Sequence, residues 1–168
     1  MKAVGALLIL AACLCGAALR TRLLREHIRA LTAWLGSLER MEAELKTRAL
    51  PLPVLMHELS REQNEASGFF SLLSDSLAEL GERSFRALWE RACDRSLGSL
   101  QRGEREALRA LGAALGRYPL PQQEAALRRS AYQLRGALTL AQRRYADERR
   151  LTWGICAAAA FLLWILLL

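Results

Sequence analysis

Gln122–Leu168 reads QQEAALRRSAYQLRGALTLAQRRYADERRLTWGICAAAAFLLWILLL, one helical pattern that passes from a polar setting into an apolar one. Leu127, Ala131, Leu134, Leu138, Ala141 and Tyr145 step by four and three, the spacing of a single buried stripe on an α-helix. The pattern runs past Arg143, Arg144, Arg149 and Arg150 into Leu151–Leu168, which carries no charge and no proline. As a helix those 18 residues extend about 27 Å, against a hydrocarbon core of roughly 30 Å. The stretch therefore predicts a long helix whose last part crosses a membrane.

The other end of the chain mirrors it. Ala3–Leu19 is 17 residues without charge or proline, about 26 Å of helix, and Arg20, Arg22, Arg25 and Arg29 follow. Leu24, Ile28, Leu31, Leu35, Leu38 and Leu45 again step by four and three, with Glu42 interrupting one position. Pro51 and Pro53 end this helix, because an interior proline removes a backbone donor and clashes with the preceding turn. The expected organisation is a transmembrane helix at 3–19, a helical domain at 20–150 and a second transmembrane helix at 151–168. Two helices leaving one membrane face would lie antiparallel as a stalk.

Between the long helices Ala, Leu, Arg and Glu dominate and strand-like alternation is absent, which predicts an all-α fold. Short helices are expected over Pro53–Glu65, over Phe69–Leu80 closed by Gly81, after a Ser84 cap, and over Glu104–Gly116 beyond breaks at Gly98 and Gly103. On these, Phe69, Phe70, Leu73, Leu77 and Leu80, then Leu88, Trp89 and Ala92, then Leu108, Leu111 and Leu115 form inward faces. Trp34 and Trp89 are expected in the core, with Trp153 and Trp164 at the two interfaces of the second span. The whole is a bundle of about six helices flanked by N- and C-terminal transmembrane helices.

The formal charge of +7 is not spread evenly. Arg20, Arg22, Arg25, Arg29, Arg143, Arg144, Arg149 and Arg150 meet only Glu26, Asp147 and Glu148 within ten residues of the apolar runs, a net of +5. From Ala30 to Gln142 the 15 basic and 14 acidic residues nearly cancel. The basic excess is thus a membrane-proximal collar suited to anionic lipid headgroups, not a nucleic-acid groove. Arginine flanking both runs on the domain side places the domain in the cytoplasm and both termini outside. A competing reading starts from Leu10-Ala11-Ala12-Cys13, which resembles a lipoprotein cleavage box. It would make the chain an extracytoplasmic lipoprotein, lipidated at Cys13, with a helical binding domain.

Chemistry is sparse. His57-Glu58 lacks the second histidine of a zinc-binding HExxH, and no glycine-rich run precedes a Lys-Ser/Thr pair. His27 sits near the first apolar run. Cys13, Cys15 and Cys156 lie inside the apolar runs and Cys93 stands alone, so no disulfide framework is expected. The reading is a non-enzyme with no catalytic, cofactor or metal-ligating residues. The charge-rich faces bearing Arg83, Arg86, Glu90 and Arg91, or Arg102, Arg105 and Arg109, are the candidate partner contacts.

Three segments in order resemble the stage III sporulation protein AB family. Met41-Glu42-Ala43-Glu44-Leu45 with Pro51-Leu52 resembles its LExEI…PL segment, and Ala87-Leu88-Trp89-Glu90-Arg91-Ala92 its AWEEA-like helix. Leu108, Leu111-Gly112, Leu115-Gly116 and Gln123 resemble its L..(F/L)G..LG…Q pattern. Arg117-Tyr118-Pro119 departs from the usual Ser-Asp after that pattern, and Thr47 stands where an aromatic is usual. The resemblance implies a non-enzymatic part of a secretion-like complex between mother cell and forespore. It further implies a domain similar to type II secretion F-type platform proteins, facing the mother-cell cytoplasm as a multi-pass protein. Its neighbours would be a secretion-type ATPase and membrane-anchored ring proteins. Homo-oligomer formation is compatible with all of this.

Overall fold

The computed structural model describes residues 2–47, 50–115 and 117–167. Within its two longest helices, the side chains of 2–14, 17, 152, 153, 155–157 and 159–167 lie outside the description. The expectations for Cys13, Cys156, Trp153 and Trp164 concern side chains in that group. Among the described residues the chain is all-helical, with six α-helices and one short 3-10 turn. They are α1 (Lys2–Thr47), α2 (Leu52–Ser60), α3 (Ser67–Ser76), α4 (Phe85–Ser96), α5 (Arg102–Ala114) and α6 (Leu120–Leu167). The 3-10 turn, Leu77–Glu79, follows α3.

The chain divides into two compact units, Met1–Ile28 with Leu140–Leu168, and Arg29–Thr139. Among the described residues no helix is long and apolar enough to cross a membrane. The spans expected at 3–19 and 151–168 fall largely on side chains outside the description, and the structure does not show them.

In the unit Arg29–Thr139 the core is mostly apolar, with Ser37, Glu104 and Ser130 as its buried polar residues. On α1 the large buried side chains are Leu31, Trp34, Leu38, Met41 and Leu45, an unbroken series of steps of three and four. This corrects the expected stripe in two respects: Leu35 is only half-buried, and Met41 fills the turn at which Glu42 interrupts. Glu42 lies beside it and pairs outward, accepting from Arg128 of α6 and from Lys46, each at 2.8 Å. Those two hydrogen bonds hold the Glu42 carboxyl below its ordinary pKa of 4.5. Its stabilising contribution is therefore present above that pH and is lost on acidification below it. One turn earlier on α1, Arg135 donates to Glu39 at 2.5 Å. Residues rising on α6 meet residues falling on α1, so the two segments run antiparallel in this unit.

The short helices close the bundle. Trp34 packs edge-on to Phe69 of α3 at 4.9 Å between ring centroids and tilts over Phe70 at 5.4 Å. Phe69 in turn meets Trp89 of α4 at 4.8 Å. Such edge-to-face pairs place positive ring edges on negative faces and add roughly 0.5–1.5 kcal/mol each beyond area burial. Arg40 ties α1 to the turn after α2 through Glu62 at 2.5 Å. Ser130 of α6 reaches the carbonyl of Ala107 on α5 at 3.2 Å, which satisfies a buried hydroxyl.

Local signals explain most boundaries. Ser84 caps α4, its hydroxyl accepting from the Ala87 N–H at 3.3 Å. Gly81 takes φ +120°, a conformation that other residues rarely adopt, in the turn before it. Two expectations fail for stated reasons. Leu77 is only half-buried and Leu80 is exposed, because α3 tightens into the 3-10 turn and loses its face. Gly103 is not a break but lies inside α5, which begins at Arg102. The buried Glu104 carboxylate accepts the Gln101 N–H at 2.7 Å and starts the helix earlier than glycine content suggests.

Candidate membrane-proximal and partner-facing surfaces

In the unit formed by 1–28 and 140–168, Arg20, Arg22, Arg25, Arg143, Arg144, Arg149 and Arg150 are all exposed. Arg29 is exposed too but belongs to the other unit. Between these arginines Leu19, Leu23, Leu140 and Leu151 are more than half exposed, an apolar and basic mixture suited to a bilayer interface. Arg22 pairs with Glu26 at 3.1 Å, but the arginine is 78% exposed, so the pair contributes little.

Arg25 behaves differently from its neighbours. Its Nη2 donates to the Tyr145 hydroxyl at 2.9 Å and its guanidinium lies 5.8 Å from the ring centroid. This brings α1 against α6 within the unit. The phenol is held below its ordinary pKa, first by the Arg25 hydrogen bond and then by the charges of Arg25 and Arg149. Tyr145 thus has a polar role that the stripe pattern did not reveal. His27, expected near an interface, is buried.

In the unit 29–139 most candidate contact residues are already paired. Glu79, on the 3-10 turn, receives Arg83 at 3.3 Å and Arg91 at 3.4 Å. Arg86 pairs with Glu90 at 2.8 Å, Arg102 with Glu106 at 2.9 Å, and Arg109 with Asp94 of α4. Sequence spacing reveals the pairs four residues apart, whereas Arg91–Glu79 and Arg109–Asp94 arise from packing. Arg105, half-buried on α5, has no carboxylate partner among the described residues. These patches are therefore lattices of ion pairs in which Arg83 and Arg91 share one carboxylate and Arg105 has none among the described residues.

An open groove of about 650 Å³ runs between α5 and the start of α6, floored by Ala107, Ala110, Ala114 and Ala126 and edged by Arg129 and Gln133. Among the described residues no group of three His, Cys, Asp or Glu side chains is placed to hold a metal. His57 is exposed on α2. Cys93 is buried in α4, and burial pushes its thiol up to about 12. A neutral buried thiol does not react as a nucleophile. Iodoacetamide at pH 8 is therefore expected to leave Cys93 unmodified in the folded chain and to label it in urea, as peptide mass mapping would read. Labelling at equal rates in both conditions would contradict the burial.

The comparisons agree with this architecture. A solved structure of a stage III sporulation protein AB (SpoIIIAB) superposes with a TM-score of 0.64 at 23% identity, over 72% of this chain and 97% of that one. At that identity it shows the shared fold. No curated protein sequence matches at a significant level. The family description "Stage III sporulation protein AB" matches residues 2–168, both apolar runs included. The chain belongs to the stage III sporulation protein AB family.

Proposed function

We propose that this chain is a non-enzymatic, membrane-moored scaffold of a secretion-like complex between mother cell and forespore. In this reading 3–19 and 151–168 span the mother-cell membrane and the helical domain faces the cytoplasm. The arginine collar rests on anionic headgroups. The domain is similar to F-type platform domains of type II secretion and couples a secretion-type ATPase to the membrane assembly. The observation that carries the reading is the family match across the full pattern of apolar run, helical bundle and apolar run. The interior supports it: among the described residues mostly aromatic and aliphatic side chains fill it, and Glu104 is the one buried carboxylate there.

Topology and partner capture test it together. Reporters fused at each terminus and inserted at the exposed turn around Gly98 should read outside, outside and cytoplasmic in intact cells. Full-length protein from sporulating cells should co-purify with the ATPase, and Arg105→Glu with Arg109→Glu should reduce that recovery several-fold. A domain reporter outside the cytoplasm would sink the topology, as would an intact mass lacking residues 1–12 and carrying a lipid. Unchanged ATPase recovery in the double variant would remove the α5 face from the interface.

A further inference from the structure

The arginine collar is not uniform, and one part of it has the form of a binding site. Tyr145 accepts from Arg25 at 2.9 Å, which leaves the phenol's own O–H and the remaining guanidinium N–H groups directed elsewhere. Arg149, four residues along α6, shares the Tyr145 face. Among the described residues no carboxylate accepts from any of these three. Glu26 turns to Arg22 at 3.1 Å. Glu148, three residues after Tyr145, has an interaction of its own. Asp147 follows Tyr145 by two positions, about 200° around the helix. Arg25 and Arg149 thus bring two positive charges and several N–H donors beside the Tyr145 hydroxyl, the complement of a phosphate with several oxygens.

Depth narrows the ligand further. Arg25 lies six residues after Leu19, and Tyr145 lies six residues before Leu151. Both stand about 9 Å from the ends of the apolar runs, and Arg149 stands about 3 Å from its run. A headgroup layer is roughly 5–8 Å thick on each side of the hydrocarbon. The three residues thus bracket that layer if the runs span the bilayer, so this step rests on the membrane reading above.

We propose that Arg25, Tyr145 and Arg149 form a site for a phosphate group, supplied by an anionic lipid headgroup. The guanidiniums contact phosphate oxygens and the Tyr145 hydroxyl donates a third hydrogen bond. The rest of the collar acts as diffuse charge.

Full-length protein in neutral detergent, titrated with phosphatidylglycerol, phosphatidylcholine or inorganic phosphate and read by native mass spectrometry, tests this. Arg149→Gln should weaken phosphatidylglycerol retention about tenfold or more, the worth of a charge-assisted contact. It leaves the Arg25–Tyr145 bond in place, so its effect does not come from loosening the helix pair. Arg25→Gln should match it and Tyr145→Phe should cost a few-fold. Arg143→Gln, the same charge change on the opposite side of α6, should change retention less than about twofold. Equal loss in Arg143→Gln and Arg149→Gln would overturn the site and leave the diffuse collar standing. No preference for phosphatidylglycerol over phosphatidylcholine in the wild-type chain would overturn both. Inorganic phosphate binding that depends on Arg25 and Arg149, with no lipid retained, would keep the phosphate chemistry and overturn its lipid source.

Discussion

Trp89→Ala is expected to destabilise the helical unit by about 3–5 kcal/mol. Trp89 is fully buried and is the largest of the side chains that are. Its ring meets Phe69 of α3 at 4.8 Å and Phe85 at 5.8 Å. Its indole N–H donates to the Leu108 carbonyl of α5 at 2.8 Å. One residue therefore joins α3, α4 and α5, and truncation removes apolar contact, leaves a cavity and deletes a buried hydrogen bond together. Trp89→Phe separates the terms, since it keeps most of the volume and loses the bond, for roughly 1–3 kcal/mol. Urea denaturation of the full-length chain in neutral detergent, followed by far-UV circular dichroism, reads both. A loss below about 1 kcal/mol for Trp89→Ala would contradict the packing described.

Gly112→Ala is the second large effect, and its sign runs against helix propensity. Alanine stabilises an exposed helix by about 0.8–1.0 kcal/mol relative to glycine. At position 112, however, a Cβ would overlap Cδ1 and Cγ of Trp89 and lie 2.5 Å from Nε1. The overlap follows from the hydrogen bond: Leu108 and Gly112 are one helical turn apart, so an indole reaching the Leu108 carbonyl must cross Gly112. The ring has no room to withdraw, being enclosed by Phe69 and Phe85. The expected cost is about 1–3 kcal/mol or more. In a Trp89→Leu background the clash disappears, so adding Gly112→Ala there should be neutral or stabilising. The same denaturation assay over the four-member cycle should show a coupling of about 1–3 kcal/mol. Additive effects would mean that the indole does not lie over Gly112.

These two residues show where legibility in the sequence ended. Trp89 was readable as core because it falls on an apolar face with Leu88 and Ala92. Gly112 was readable only as part of a family pattern, since nothing in helical periodicity distinguishes a glycine that admits a ring from one that merely ends a turn. On α1 the period was right, and Leu31, Trp34, Leu38 and Leu45 are buried as expected. It differs at two turns: Leu35 is only half-buried, and Met41 fills the turn at which Glu42 interrupts the leucines. A leucine count favours the commoner residue, while burial follows whichever side chain faces α3. The capping carboxylate of Glu104 had its Gln-x-x-Glu signal, but the adjacent glycines masked it.

The candidate surfaces divide in the same way. The basic collar is a property of composition near the apolar runs, and its residues are exposed as that composition demands. What composition did not separate is Arg25 from the others, because its partner Tyr145 lies 120 residues away along the chain. Equally, Arg83–Glu79, Arg86–Glu90 and Arg102–Glu106 follow from a spacing of four, whereas Arg91–Glu79 and Arg109–Asp94 join packed elements.

By itself, then, the sequence determined the all-helical class, the two long helices with their charged collar and the family. Each is a matter of local period and composition, summed over many residues. Only the tertiary structure decided that Met41 and not Leu35 completes the buried face of α1, why position 112 must be glycine, and which arginines meet carboxylates on other elements. Those depend on distances between residues far apart in the chain, and no local pattern encodes a distance.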